Sequence, residues 1–430
     1  MPKRFLRARA KVRGLAIDIS PLRTSRDFRL VMGSGLVTTL GSMVTYVTLP
    51  FQIKQLTGSY IAVGLTGAAE LIPLIVFGLY GGALADSVDR KIMVITTEIA
   101  AMGLVSLLML NSLLHHPKVW VIYVVAALFA AVDGLQRPSL EAMIPRIVPH
   151  DQLAAAAALR SIRWQFGAIL GPALGGVLIA TVGVSSGYAF DIATYILSLA
   201  FLAHLSRIPS SPDATPPSWS DLTEGLRYAF SRQDLIGTYA IDLAAMFFAM
   251  PTALFPFLAD RLGAPWSLGL LYSAMMVGSI IATLTSGWVA RYHRHGRAVI
   301  IAAACWGIAI ILAGATNSLA VVLLGLVVAG GADQVSGIFR STIWNQTIPD
   351  ELRGRLAGIE LLSYSLGPLG GQTRAGLMAS WSGLRASIMG GGMLCVGAVG
   401  ILTTALPKFR RYDDRTNEFA IEARNRRKQS

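Results

Sequence analysis

Charge is what this chain has least of. Asp, Glu, Lys and Arg make up 14% of its 430 residues, against about 25% in an ordinary soluble domain. That scarcity excludes a solvated surface over most of the chain. Cysteine is rarer still: Cys305 and Cys395 both fall inside apolar runs, where they pack as small hydrophobes, and a disulfide-framed fold is excluded. The six histidines stand at loops or helix ends without metal-ligand spacing. No Gly-rich phosphate loop is present, which argues against direct ATP hydrolysis. With no clustered catalytic set, the expectation is that the protein is not an enzyme and holds no cofactor. The net charge of +13 is not a nucleic-acid footprint, because the basic residues lie between apolar runs and in the tails, with no aromatic-interleaved basic face. The basic N-terminal stretch leads into a run of full span length with no small-residue cleavage site, unlike a signal peptide.

What is there is apolar length. Hydrophobic residues make up 53% and mean hydropathy is +0.57. They gather in runs of about 20, the length that spans about 30 Å of hydrocarbon. Twelve runs are expected: 30–51, 61–85, 92–114, 119–143, 164–184 and 188–205, then 235–257, 268–290, 298–315, 318–344, 357–381 and 386–406. The organisation is a basic N-tail (1–29), a six-helix half (30–205), a linker (206–234), a second six-helix half (235–406) and a basic C-tail (407–430). In the linker, Pro209, Pro212, Pro216 and Pro217 break helix, and residues 220–231 read as a short amphipathic helix. With alternating segments, 32 of the 37 Lys and Arg fall on the side of the termini, Arg137 and Arg340 being assigned to the loops after them. Four (Lys54, Lys118, Arg261, Arg385) fall on the other side, and Arg374 alone lies deep in a span. That bias puts both termini in the cytoplasm of a bacterial-type inner membrane.

The two halves echo each other. Asp133 precedes Pro149 by 16 residues, followed by Asp151-Gln152-Leu153; Asp333 precedes Pro349 by 16, followed by Asp350-Glu351-Leu352. Gly171-Pro172 recurs as Gly367-Pro368, and Gly82 as Gly287. The fold class is an all-α membrane protein of twelve transmembrane helices in two pseudo-symmetric six-helix halves, the organisation of transporters that rock around a midplane site.

Two motifs carry a family resemblance. The second segment closes on Gly82-Ala83-Leu84-Ala85-Asp86-Ser87-Val88-Asp89-Arg90-Lys91. Small residues there admit a close neighbour, and Asp86 suits the positive end of a facing helix. The fifth carries Gly167, Gly171-Pro172 and Gly175-Gly176, glycines for close contact and a proline for a bend. The first resembles the loop between helices 2 and 3 of the major facilitator superfamily, except that Asp89 stands where that family usually has Gly. The second resembles the fifth-helix motif of its drug/proton antiporters. Phe28-Arg29-Leu30, Glu224-Gly225-Leu226-Arg227 and Leu284-Thr285-Ser286-Gly287 resemble the branch containing the enterobactin exporter. The resemblance implies proton-driven efflux, a gate built on Gly82, Asp86, Arg90 and Lys91, and a cavity lined by helices 1, 4, 7 and 10.

Acids inside a membrane are costly and usually functional. The proton-coupling candidates are Glu70, Asp133, Asp242 and Asp333, with Glu98 and Asp191 also inside spans. The implied fold packs helix 2 against helix 11, so an ion pair of Glu70 with Arg374 is expected to close the outer gate. Pro50, Pro251 and Pro256 are candidate hinges at the outer ends of helices 1 and 7. The expected function is exchange of protons for a hydrophobic or amphiphilic compound, energised by the proton gradient. The alternatives are a dedicated siderophore exporter and a non-transporting membrane sensor. The expected partners are the substrate, protons and the lipid bilayer, with the chain working as a monomer and without nucleic acid.

Overall fold

Hydrocarbon offers the backbone no hydrogen-bond partner, so a spanning segment satisfies its own N–H and C=O groups as a helix. The computed structural model describes residues 18–207 and 227–429, with 79, 81–87, 350–362 and 426–429 described by backbone alone. In the first half lie α1 (Arg26–Thr57), α2 (Tyr60–Ser87), α3 (Arg90–Ser112), α4 (Val119–Ile147), α5 (Leu153–Thr181) and α6 (Val184–Ala203). In the second lie α7 (Gln233–Ala249), α8 (Leu268–Leu284), α9 (His295–Ala315), α10 (Leu319–Thr347), α11 (Asp350–Ser382) and α12 (Leu384–Ala405). Among the described residues, eleven helical spans are long and apolar enough to cross a membrane. The twelfth, α11, packs against α2 and α7 in the same bundle. The expected amphipathic helix at 220–231 lies mostly outside the described residues; 227–231 are helical.

The halves repeat one packing plan. α1 packs on α5 and α6 as α7 packs on α11 and α12; α2 packs on α4 as α8 packs on α10; α3 meets α4 and α6 as α9 meets α10 and α12. The halves join along two seams, α2 with α11 and α5 with α8. The expected neighbourhood of helices 2 and 11 is therefore present. Gly183 and Gly383 open α6 and α12 at φ of 109° and 85°, a backbone that glycine adopts without strain, and they too stand 200 residues apart.

Both ends of the described chain emerge on one face, the terminal face. There the Ser206 N–H donates to Asp27, and His293 lies 2.9 Å from Asp414. The opposite, distal face carries the α1–α2 and α7–α8 connections. Asp89, the departure from the family pattern, is the N-cap of α3: its carboxylate accepts from the Lys91 N–H at 2.9 Å, satisfying one of the unpaired donors of the first turn.

The prolines divide. Pro50 sits inside α1, which continues past it to Thr57. Pro251 ends α7: Met250 before it is extended, at ψ 111°, as the clash with the proline ring favours. The path resumes as a single turn (Thr252–Leu254) and a short helix (Phe255–Arg261). Pro256 occupies its first turn, where a missing N–H costs nothing.

The C-tail is docked. Phe409 is fully buried against Gly237 of α7 and Gly296 of α9. Tyr412 stacks on His295, and the Arg232 guanidinium lies 3.6 Å from the Phe419 ring centre. Arg415 donates to Asp413 at 2.9 and 2.8 Å, which holds that carboxyl below its usual range. Phe409→Ala is expected to cost about 3–5 kcal/mol, read as a lowered melting temperature of the detergent-solubilised protein.

Candidate functional site

Small residues let two helices touch backbone to backbone, and the seams between the halves are built that way. A Cβ on Gly176 of α5 would lie 2.7 Å from the Gly269 nitrogen of α8, and one on Gly64 of α2 would lie 2.9 Å from the Gly376 Cα of α11. Thr373 donates to the Gly64 carbonyl at 3.1 Å and Ser273 to that of Ile169 at 2.7 Å. Further out, Lys54 of α1 pairs with Asp260 and donates to the Pro256 carbonyl at 3.1 Å. Tyr60 packs on Phe257, with ring centres 4.4 Å apart. These hydrogen bonds and the Lys54–Asp260 pair tie the two halves together. The molecule is sealed along its distal side.

The fifth-helix motif splits its work. Gly167, Gly171 and Gly175, four residues apart, face Thr39, Met43 and Val44 of α1, while Gly176 faces α8. In the second half, Gly367 and Gly371 face Met246 of α7, and Gly376 faces α2. Gly82 and Asp86 of the gating loop lie outside the residues with described side chains. Arg90 is buried, and Lys91 donates to the carbonyls of Ala203 (3.2 Å) and Leu205. That places a cation on the unpaired carbonyls ending α6.

The acids fall into four settings. Glu98 accepts from Thr38, Gln136 and Ser198 at 3.3, 3.1 and 3.0 Å. Asp191, fully buried in α6, accepts from Thr45 at 2.5 Å and Thr194 at 3.3 Å. Both are held by neutral donors within the first half. Glu70 lies within electrostatic reach of Asp133 and Tyr46, and Asp133 is 3.7 Å from Arg137 one turn on.

In the second half, Arg340 lies 2.5 Å from Asp242 and 3.9 Å from Asp333. Ser363 of α11 donates to Asp242 at 3.2 Å, and the Tyr364 ring centre is 6.0 Å from the guanidinium. Arg340 and Asp242 are each 4% exposed. The cluster joins α7, α10 and α11, two of its acids being coupling candidates from the sequence. Arg340 lies near the end of the expected tenth run and counts in the charge tally with the loop after it. α10 continues to Thr347 and carries it as a buried helical residue, so Arg374 is not the sole cation within the spans.

Glu70 and Arg374 are not brought together. Arg374 turns into its own half, donating to the Phe247 carbonyl at 3.3 Å and the Ser387 carbonyl at 3.4 Å. The distal ion pair between the halves is Lys54 with Asp260, both at segment ends, a pairing that no sequence motif marks. Cys305 and Cys395 are both free thiols.

Comparison with known proteins places this geometry. Residues 16–425 match the model of the family described as transmembrane secretion effector. The enterobactin exporter EntS of Shigella boydii serotype 18 is 29% identical over 410 residues, covering 92% of this chain and 95% of that protein. The EntS of Citrobacter koseri matches equally, at 29%. Among solved structures, the nucleoside transporter NupG has a TM-score of 0.72 at 13% identity, covering 90% of this chain and all of its own. The human organic anion transporter MFSD10 has a TM-score of 0.62 at 16% identity, covering 88% and 99%.

Proposed function

The chain belongs to the transmembrane secretion effector family of major facilitator transporters, and from that premise we propose that it exports an amphiphilic small molecule in exchange for protons. The 32-to-4 distribution of basic residues makes the terminal face cytoplasmic, so the distal seal closes the side away from the cytoplasm.

The observation that carries proton coupling is the Asp242–Arg340–Asp333 cluster. With both acids ionised, two carboxylates face one guanidinium and the cluster carries one net negative charge. Closing a cavity around an uncompensated charge in a low-dielectric interior costs several kcal/mol. A proton on either acid removes that charge and permits closure. A compound that is cationic, or that donates hydrogen bonds to the carboxylates, offsets the same charge. Compound and proton are then exclusive occupants, which is the requirement for exchange. Glu98 and Asp191 accept from neutral donors of the first half and share no guanidinium that proton and compound could compete to replace, so they are assigned a structural role.

Everted membrane vesicles test this with a cationic dye, a macrolide and a catecholate siderophore, each with and without a protonophore. The expected result is protonophore-sensitive accumulation of at least one compound, lost in Asp242→Asn and kept in Asp191→Asn. Accumulation indifferent to the protonophore removes the proton from the mechanism. No accumulation of a broad panel by inserted, folded protein favours a sensor. A second reading, a dedicated siderophore exporter, is favoured by the EntS relatives, and accumulation of the catecholate alone selects it.

A further inference from the structure

A guanidinium inside a membrane is expensive unless something anionic meets it. Arg374 meets nothing of that kind: among the described residues its partners are two backbone carbonyls at 3.3 and 3.4 Å and the Met378 sulfur at 3.5 Å. Arg340, by contrast, has two carboxylates within 4 Å. Arg374 also lines a groove of about 470 Å³ between α2, α7 and α11, whose walls are otherwise almost wholly apolar, among them Ala68, Leu71, Phe247 and Leu377. That volume lies within the range of about 300–1,000 Å³ typical of ligand sites.

The groove faces the bilayer and not the transport cavity. On α2, Leu65 and Ile72, one turn to either side of Ala68, are exposed. Those positions share one helix stripe. Glu70, two residues from Ala68, is about 200° round the helix, away from that stripe. The distal side is sealed, so an exposed apolar stripe at this level meets lipid. On α11, Trp381 at the mouth of the same groove is 82% exposed. An exposed tryptophan of this kind marks the interface between hydrocarbon and headgroups. It stands seven residues, about 10 Å, nearer the distal end than Arg374. The side chain of Arg374 bridges part of that depth, since arginine keeps its stem in apolar surroundings and extends its head toward water.

The geometry points to a binding site for an anionic phospholipid of the distal leaflet, its phosphate held between Arg374 and Trp381 and an acyl chain lying along the apolar wall. Its chemistry is charge complementarity: a zwitterionic lipid offers Arg374 a phosphate already neutralised by its own amine, an anionic one does not. The groove is walled by α2 from one half and by α7 and α11 from the other, across the α2–α11 seam. An occupant therefore binds the distally sealed arrangement and stabilises it by mass action. This inference is independent of proton coupling and of substrate.

The test uses the full chain in neutral detergent, titrated with phosphatidylglycerol, phosphatidylcholine or oleate of matched acyl length. Phosphatidylglycerol is expected to raise Tm by about 2–4 °C over phosphatidylcholine, and Arg374→Gln to remove that difference. Ala68→Trp fills the groove while keeping the arginine, and is expected to remove it as well. An equal shift with phosphatidylcholine overturns the site, as does a full shift in Ala68→Trp. Oleate matching phosphatidylglycerol overturns the phospholipid assignment in favour of any anionic amphiphile. Export need not be measured, so failure here is separate from failure of the transport reading.

Discussion

Arg340→Gln is expected to destabilise the protein by about 3–5 kcal/mol and to abolish export, because breaking a buried ion pair strands its partner. The stranded group is Asp242, 4% exposed, left with the hydrogen bond from Ser363 in place of a full counter-charge. Asp242→Asn alone is milder. It leaves Arg340 charged, with Asp333 already at 3.9 Å to take over the pairing. The double variant Asp242→Asn/Arg340→Gln removes both charges and is expected to recover most of the lost stability, as neutral replacements of buried pairs often do. Melting temperatures of the four proteins form a cycle whose interaction energy measures the pair. Export separates structure from coupling. If the double variant regains stability and also regains protonophore-sensitive export, the cluster is scaffolding and the proton travels elsewhere. If it regains stability alone, the charges are what the transport cycle needs.

That cluster shows what a sequence yields and what it withholds. Span number is legible because length and hydropathy are one-dimensional, and the basic residues fix the alternation. The partners of a charge near a span end are not. Arg340 lies inside the expected tenth run (318–344), near its end, and is counted with the loop after it; only the packing of α10 beside α7 sets its guanidinium against Asp242.

Depth is legible by counting residues, but azimuth needs the packed neighbours. Glu70 and Arg374 sit on helices that do touch, yet Glu70 lies about 200° round α2 from Ala68, which lines the groove beside Arg374, and Arg374 faces Phe247 and Ser387. Lys54 and Asp260 were invisible for the opposite reason. They occupy segment ends where a single charge is unremarkable, and only the break after Met250 brings the short helix carrying Asp260 across to α1. Gly183 and Gly383, separated by the same 200 residues as the aspartate pair, mark the same turn in each half.

The second large effect is a wedge. Gly269→Val is expected to open the distal seam, since a Cβ there meets Ala173 Cα at 3.0 Å and the Pro172 carbonyl carbon at 3.1 Å. Backbone cannot rotate aside as a side chain can, so α5 and α8 must part. Overpacking of this kind costs about 1–3 kcal/mol, enough to shift an equilibrium between arrangements by about 5- to 150-fold. Lys54→Cys with Asp260→Cys, in a background where Cys305 and Cys395 are serine, reports the seal: cross-linking is expected to be efficient in the parent and to fall by that factor in Gly269→Val. Gly103→Val is the control, because a Cβ at Gly103 meets nothing within 4 Å. The same reasoning applies to Gly64→Val, whose Cβ meets the Gln372 carbonyl oxygen and Gly376 Cα, each at 2.9 Å. The two seams occupy equivalent places in the repeated plan, so halves that rock as rigid bodies must release both together. A wedge in either seam then lowers the 54–260 cross-link alike. A loss confined to Gly269→Val would mean that the seams open independently, with the short helix after Pro251 moving on its own hinge and not with its half.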